Sequence, residues 1–308
     1  MLRQRLITGP ILIALLLGLT WFDTWAAAQW KTPLGLMLVA LTVVFAALGG
    51  VEMTRLVEGG AGRPSRTVST VPAAIGAAAM TVCVWLSVGA DQLAAGWLVA
   101  VPMLVMVLSL IWRVCGGTCD DALHAVAAAA LATLWVGGGL GLLLAIYADW
   151  GGAPTDGADS APHIGAWVLL LVILVTKFAD IGAYAAGRLV GRHKLIPWLS
   201  PGKTWEGVAG GVVLGATVGV LLYEALLHDA PGLDALTSAG MSWWVAGFGV
   251  VLALGGLVGD LSMSMLKRHA GWKDSGTLLP GMGGVLDVLD SLLVTGPLAW
   301  MLLQLIDR

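Results

Sequence analysis

Long apolar stretches separated by short polar segments recur along the whole chain. A helix needs about 20 predominantly apolar residues to cross a bilayer, because the hydrocarbon core is about 30 Å thick. The pattern predicts an all-α, polytopic integral membrane protein with about nine transmembrane helices. The nine stretches run from Ile7 to Phe22, Pro33 to Gly50, Val71 to Ala90, Ala95 to Ile111, Ala125 to Tyr147, Gly165 to Gly187, Val208 to Leu227, Trp243 to Met263 and Val285 to Ile306.

The basic residues predict how these stretches are oriented, because cytoplasmic loops of membrane proteins carry an excess of Lys and Arg. With the N-terminus in the cytoplasm, 13 of the 16 basic residues fall in cytoplasmic segments. The opposite side keeps only Lys31 and Arg308, and Lys177 lies inside the sixth stretch. We therefore predict a cytoplasmic N-terminus and a C-terminus on the other side.

The composition agrees with a membrane protein and excludes other classes. Of the 308 residues, 58% are hydrophobic and 11% are charged, whereas an average soluble domain has about 45–50% and about 25%. The formal net charge of -3 gives no basic excess that would favour nucleic acid as a partner. The short connections predict a single membrane-embedded domain over residues 1–308, with hydrophobic spans in 1–163 and a catalytic half in 164–308.

Carboxylates in the C-terminal stretches are the first indication of chemistry. Ionisable residues in membrane spans are costly and usually mark a functional site. Asp180, Asp260, Asp287 and Asp290 all lie near the predicted cytoplasmic side. Asp287 and Asp290 are three residues apart, so on one helix they would share a face with Ser291. Because Mg²⁺ would relieve the repulsion between such carboxylates, we predict that it binds to Asp260, Asp287 and Asp290.

Candidate phosphate ligands accompany these carboxylates on the same predicted side. Lys, Arg and hydroxyl side chains donate hydrogen bonds to phosphate oxygens, and a Gly-rich turn can offer them backbone amides. The candidates are Ser200, Lys203, Thr204, Ser264, Lys267, Arg268, Gly283 and Gly284. Carboxylates for a metal together with cations for phosphate are typical of phosphoryl or nucleotidyl transfer.

These residues resemble the signature of a known family, the phosphatidate cytidylyltransferases, also called CDP-diacylglycerol synthases. The resemblance runs from Ser264 to Asp290 and rests on Ser264-Met265-Leu266-Lys267-Arg268, Lys273-Asp274, Pro280-Gly281-Met282-Gly283-Gly284 and Asp287-Val288-Leu289-Asp290. Upstream, the segments 180–184 and 200–207 also resemble parts of that family. Two positions depart from its pattern, because Met282 and Val288 stand where the family usually has His and Arg.

The resemblance implies a nucleotidyltransferase of phospholipid biosynthesis that converts CTP and phosphatidic acid into CDP-diacylglycerol and pyrophosphate. It implies a bacterial inner (plasma) membrane enzyme with Mg²⁺ as cofactor, an active site facing the cytoplasm, and membrane lipids but no nucleic acid as partners. A homodimer is left open. The implied catalytic residues are Asp260, Asp287, Asp290 and Lys267, and the implied substrate-binding residues are Ser200, Lys203, Thr204, Ser264, Arg268, Lys273, Gly283, Gly284 and Asp180.

Three other functions are left open. Met282 and Val288 would suit a membrane nucleotidyltransferase with a different lipid-phosphate acceptor, or an inactive paralogue. The charges in the spans would also suit an ion-coupled transporter, although a transporter is expected to have polar groups reaching the membrane midplane from both sides.

A separate cytoplasmic segment contains Cys115 and Cys119, which we interpret as an ordinary reduced loop, because no second Cys pair completes a zinc site.

Overall fold

The computed structural model describes residues 14–15, 17–23, 25–26, 29–30, 35–59, 70–87, 92–115, 122–150, 164–228, 240–279, 281 and 283–306. Within these ranges, seven helices are long and apolar enough to cross a membrane, when Ala122–Asp149 and Val285–Leu303 are counted as one helix each. A further apolar segment, Leu98–Trp112, lies within another helix. This part of the chain is almost entirely helical, and its strands form one short hairpin. The prediction of an all-α, polytopic membrane protein is confirmed.

The chain divides into two compact units whose boundaries do not follow the order of the sequence. The first unit contains the described residues of Met1–Asp149 and of Leu266–Leu289, and the second contains those of Pro162–Met265 and of Asp290–Arg308. The segment from Leu266 to Leu289 therefore belongs with helices that lie far from it in the sequence. The functional division at residue 163 stays a prediction.

Helices that pack closely through small residues build the first unit. They are α1 (Leu36–Glu58), α2 (Thr70–Ser87), α3 (Gln92–Cys115), α4 (Ala122–Leu131), a π-helical turn (Ala132–Gly137), α5 (Gly138–Asp149) and, later in the chain, α9 (Val285–Leu289). A Cβ atom on Gly50 would come within 2.8 Å of the carbonyl oxygen of Ala73. Such close backbone approach is typical of helix packing in membranes.

The second unit contains longer helices and the hairpin. Its elements are α6 (Ile164–Leu189), β1 (Lys194–Ile196), β2 (Ser200–Thr204), α7 (Trp205–Leu226), α8 (Met241–His269), whose last turn belongs to the first unit, and α10 (Leu292–Leu303). Helix α7 buries Gly207, Gly211, Gly215 and Gly219 at a spacing of four residues, which forms one face of the helix. That face allows α6 and α7 to pack closely together.

Eight of the nine predicted stretches coincide with helices. The first stretch lies largely outside the described residues, so the count of nine and the cytoplasmic N-terminus stay predictions. Two features of the connections were not predicted. The segment after α6 forms the β1–β2 hairpin, with Lys194 paired with Thr204 and Ile196 paired with Ser200, and the last stretch is divided into α9 and α10.

Candidate functional site

Two groups of charged side chains contain most of the residues predicted to carry the chemistry, one group in each unit. The group in the first unit, which we call the Asp287 cluster, consists of Glu52, Lys267, Ser275, Gly284 and Asp287. The group in the second unit, which we call the Asp260 cluster, consists of Lys177, Asp180, Lys203, Asp260, Ser264, Asp290 and Ser291.

Asp287 is almost completely surrounded by hydrogen-bond donors. Its Oδ1 atom accepts a hydrogen bond from Nζ of Lys267 at 2.7 Å. Its Oδ2 atom accepts from the backbone N–H of Ser275 at 2.7 Å and the backbone N–H of Gly284 at 2.9 Å, and it lies 3.0 Å from the hydroxyl oxygen of Ser275. The side chain of Asp287 is 7% exposed, and a buried charge needs such partners to offset its lost hydration.

A tight glycine turn leads into this carboxylate. Leu279 and Gly283 exchange backbone hydrogen bonds of 2.8 and 3.1 Å, and Gly283 has a φ of 97°, which favours glycine. A Cβ atom on Gly283 would also collide with Oδ2 of Asp287. The turn predicted to cradle phosphate therefore gives the N–H of Gly284 to Asp287, while Met282 lies outside the described residues.

Glu52 is a member of the Asp287 cluster that the sequence analysis missed. It lies on α1 and is only 5% exposed. Its Oε1 accepts from the N–H of Val285 at 2.9 Å, and its Oε2 accepts from the N–H of Leu286 at 2.9 Å and from the hydroxyl of Ser275 at 2.8 Å. The rule that identified Asp180 would have identified Glu52, had the second apolar stretch been continued beyond Gly50.

The Asp260 cluster contains an ion pair that is more open to solvent. Nζ of Lys203 lies 2.7 Å from Oδ2 of Asp260, and the two side chains are 21% and 35% exposed. The hydroxyl of Ser264 makes a longer contact of 3.4 Å with Oδ1 of Asp260. Strand β2 positions Lys203 one residue before Thr204, whose hydroxyl accepts from the N–H of Gly207 at 3.1 Å and caps α7.

Thr204, one of the predicted substrate-binding residues, also has a role in the fold. It is only 4% exposed, and its oxygen is used to cap the helix. The cap holds Thr204 against the start of α7, and its contact with substrate stays a prediction. Ser200, the first residue of β2, is partly exposed and stays a predicted substrate ligand.

A second part of the Asp260 cluster is organised by Ser291, which is fully buried. Its hydroxyl lies 3.1 Å from Oδ2 of Asp180, 3.1 Å from Oδ1 of Asp290 and 3.1 Å from Nζ of Lys177. The backbone N–H of Ser291 also donates to Oδ1 of Asp290 at 2.7 Å. Asp260 is also close enough to Asp290 for the two charges to interact. Carboxylates from α6, α8 and the segment before α10 are therefore brought together.

The helix that was predicted to carry Asp287, Asp290 and Ser291 on one face is interrupted by a short turn. Helix α9 ends at Leu289 and α10 begins at Leu292, so Asp290 and Ser291 form the turn between them. The side chain of Asp290 bonds to the backbone N–H that follows it, and such local bonds compete with helix continuation.

The donor chemistry of the Asp260 cluster fits Mg²⁺. Within the described ranges, no three His, Cys, Asp or Glu side chains form a ready metal-binding group, but Mg²⁺ usually takes only one or two carboxylates and completes its shell with water and phosphate. In the part of the chain that is described, the hydrogen bonds to Asp290 all reach Oδ1, and Oδ1 of Asp260 receives only the long contact from Ser264. Oδ2 of Asp287 already accepts two backbone N–H bonds and Oδ1 is paired with Lys267, so the metal role of Asp287 stays a prediction.

The other predicted residues lie at the surface. Arg268, in the last turn of α8, and Lys273, in the segment that follows, are exposed, and neither forms an ion pair with another described residue. Cys115 is an exposed free cysteine at the end of α3, and Cys119 lies outside the described residues. The predicted substrate roles of Arg268 and Lys273, and the interpretation of the two cysteines, stay predictions.

The fold defines a polytopic membrane protein with two clusters of charged side chains. The chain belongs to the cytidylyltransferase family, whose sequence model matches residues 3–306. The family resemblance inferred from the residues between Ser264 and Asp290 is thereby confirmed.

Several curated proteins are similar to part of the chain. A phosphatidate cytidylyltransferase of Mycobacterium bovis (strain ATCC BAA-935 / AF2122/97) is 39% identical over 140 residues, which are 46% of this chain and 42% of that protein. One of Haemophilus influenzae (strain ATCC 51907 / DSM 11121 / KW20 / Rd) is 39% identical over 140 residues, 44% of this chain and 45% of that protein. An uncharacterized protein, YnbB, of Escherichia coli (strain K12) is 41% identical over 133 residues, 43% of this chain and 41% of that protein. The match thus covers less than half of each relative.

Proposed function

We propose that the protein transfers a cytidylyl group from CTP to phosphatidic acid and releases CDP-diacylglycerol and pyrophosphate. The observation that carries the proposal is the pair of Lys203 and Asp260, 2.7 Å apart and partly exposed. It combines a phosphate-binding cation with a carboxylate suited to a metal. The names of the relatives from Mycobacterium bovis and Haemophilus influenzae support the same reaction.

In this reaction a phosphate oxygen of phosphatidic acid attacks the α-phosphorus of CTP in line, and the bond from that phosphorus to the β-phosphate oxygen breaks. A phosphate monoester has a second pKa of about 6, so the nucleophile is already ionised near neutral pH. No side chain is needed as a general base. This agrees with Met282, which cannot carry a proton, in the position where the family usually has His.

The charged side chains of the protein then have to position phosphates rather than transfer protons. Lys203 is held on β2 and leaves Asp260 to bind a phosphate oxygen of CTP. Asp260 and Asp290 would hold Mg²⁺, which when bound supplies positive charge next to the phosphates. Lys267 is held by Asp287 at 2.7 Å, and Ser200, Arg268 and Lys273 are further proposed phosphate ligands.

The proposed location is a bacterial inner membrane with the active site on the cytoplasmic side. The distribution of basic residues along the sequence supports this orientation. Phosphatidic acid would keep its acyl chains in the bilayer and bring its headgroup to the charged residues.

The test is an assay of purified protein in phosphatidic-acid vesicles with CTP and Mg²⁺, in which CDP-diacylglycerol and pyrophosphate are measured. We expect product from the parent protein, little product from Asp260→Asn, and parent-like rates from the matched control Glu224→Gln. Glu224 is a carboxylate of the same unit that bonds to Ser242 and belongs to neither cluster. Equal rates for Asp260→Asn and the parent would contradict the proposal.

A different lipid-phosphate acceptor is the second candidate, because Val288 stands where the family usually has an arginine. Val288 is partly buried on α9 and cannot neutralise a phosphate. Product from another lipid phosphate, but not from phosphatidic acid, would favour this alternative. No product from any acceptor would favour an inactive paralogue, and ion flux in proteoliposomes without CTP would favour a transporter.

A further inference from the structure

Glu52 is a carboxylate whose surroundings are unusual for its position. It lies on an apolar helix, is 5% exposed, and would be costly to bury without compensation. All three of its hydrogen bonds come from the segment between Ser275 and Leu286. Because these partners lie 223 to 234 residues away in the sequence, Glu52 does not stabilise its own helix but holds a distant segment.

The hydroxyl of Ser275 joins Glu52 to Asp287. It lies 2.8 Å from Oε2 of Glu52 and 3.0 Å from Oδ2 of Asp287, and Ser275 is only 1% exposed. The two carboxylates would repel each other without the N–H groups that face them. Four backbone N–H groups, two for each carboxylate, and the ammonium of Lys267 provide that compensation.

The residues on both sides of the glycine turn lie against Glu52. A Cβ atom on Gly276 would lie 2.7 Å from Oε1 of Glu52, and one on Gly284 would collide with both carboxylate oxygens. Glu52 therefore contacts the segment before the turn, the segment after it and the start of α9. Asp287 lies one residue beyond the last of these contacts, so we expect a change at Glu52 to affect Asp287 and Lys267.

We infer that Glu52 is a positioning residue that holds the glycine turn and thereby sets the orientation of Asp287 and Lys267. This inference rests on the proposed function, in which Lys267 has to meet a phosphate at a defined position. Small misalignments of such groups reduce turnover strongly, whereas contacts that only bind substrate mainly change KM. Loss of the anchor should therefore lower kcat more than it changes KM.

The experiment uses the purified full chain in lipid nanodiscs and compares the parent with Glu52→Gln. Gln has nearly the same shape, but its NH₂ group cannot accept a hydrogen bond from the facing donors. Hydrogen exchange of the peptides covering residues 273–289 reports directly on the N–H groups of Val285 and Leu286. Rates of CDP-diacylglycerol formation at varied CTP give kcat and KM.

We expect Glu52→Gln to speed exchange in residues 273–289 at least tenfold and to lower kcat at least tenfold, with KM for CTP changed less than threefold. The matched control is Thr54→Val, because Thr54 is also buried on α1 but its hydroxyl bonds within the helix, to the carbonyl of Val51. Exchange and kcat of this control should stay within twofold of the parent.

A second variant keeps the inference testable if Glu52→Gln fails to fold. Ser275→Ala removes the hydroxyl between the carboxylates and leaves both of them in place. We expect it to speed the same local exchange and to lower kcat at least threefold. Because both residues act on one turn, the effects of the two substitutions on kcat should be less than additive in a double variant.

Parent-like local exchange in Glu52→Gln would overturn the inference, as would faster exchange with an unchanged kcat. If Glu52→Gln does not fold, the same two results in Ser275→Ala overturn it. If the parent itself makes no CDP-diacylglycerol, the proposed function fails, and the exchange comparison still decides whether Glu52 holds the turn.

Discussion

The Asp287 and Asp260 clusters both combine Asp, Lys and Ser side chains but use them differently. Asp287 is 7% exposed, accepts three hydrogen bonds from its own protein and lies 3.0 Å from the hydroxyl of Ser275. Asp260 is 35% exposed and has one lysine partner and one long serine contact. A carboxylate saturated with internal donors mainly holds the protein together, whereas one with open oxygens can exchange its partner for a substrate or a metal.

This difference gives the two clusters separate tasks in the proposed reaction. The Asp260 cluster would meet the incoming charges, and its lysine would move from Asp260 to a phosphate. The Asp287 cluster would keep Lys267 and the glycine turn in one arrangement throughout. The following predictions test this contrast, from the largest expected effect on activity to the smallest.

Asp260→Asn should have the largest effect. Loss of one preorganised electrostatic group in an active site typically lowers turnover about 10²- to 10³-fold, and Asp260 has both an open oxygen and the lysine partner. We also expect a higher Mg²⁺ concentration for the half-maximal rate, measured by titrating Mg²⁺ against CDP-diacylglycerol formation. A larger shift in Mg²⁺ dependence for Asp287→Asn than for Asp260→Asn would reverse the assigned roles.

Asp287→Asn should reduce both stability and activity. Breaking a buried ion pair by removing one partner typically costs about 3–5 kcal/mol, and the new NH₂ group would face donors. We expect a lower midpoint of thermal unfolding and a rate of CDP-diacylglycerol formation reduced about tenfold. For the protein that remains folded, the Mg²⁺ concentration for the half-maximal rate should be unchanged. The double variant Asp287→Asn/Lys267→Met should recover part of the lost stability, because no unpaired lysine remains buried. No recovery would argue against the ion pair as the cause.

Lys203→Gln should act mainly on substrate binding. We expect KM for CTP to rise about tenfold, because one phosphate contact is lost, while stability changes by less than about 1 kcal/mol, as is usual for partly exposed ion pairs. Substrate titrations and thermal unfolding measure the two effects. Lys194→Gln, at an exposed position of the same hairpin, is the matched control. An equal rise in KM for both variants would indicate a general effect of charge.

Asp23→Asn should have the smallest effect on activity and a clear effect on stability. Asp23 is 2% exposed and accepts hydrogen bonds from the N–H groups of Gly35 and Met37 and from the hydroxyl of Tyr147. Its replacement leaves buried donors facing an amide, at a cost of about 1–3 kcal/mol. We expect a lower unfolding midpoint and a parent-like kcat at a temperature where both proteins are folded. A large loss of kcat would show that carboxylates outside the two clusters also contribute to catalysis.

The fold class and most helices could be predicted from the sequence because bilayer thickness acts on each segment separately. A stretch such as Gly165 to Gly187 is apolar over its whole length, and it became a helix with nearly the same bounds. The candidate carboxylates could be predicted for a similar reason. Charge is so scarce in this chain that each Asp inside a span is conspicuous, whatever its neighbours in space.

Local hydrogen bonds account for the features that were missed near these residues. The helix cap that Thr204 forms with the N–H of Gly207 was not predicted, because a threonine hydroxyl suits a helix N-terminus as well as a phosphate. Asp290 follows an apolar run that favours a continuous helix, but its side chain bonds to the next backbone N–H and α9 ends before it.

The sequence by itself determined that this is a helical membrane protein and which residue types are available for chemistry, since these depend on hydropathy and charge along the chain. Only the tertiary structure decided which carboxylates are saturated and which remain open. Glu52 meets the glycine turn across more than 220 residues of sequence, and such a contact follows from the packing of distant helices, which no local pattern encodes.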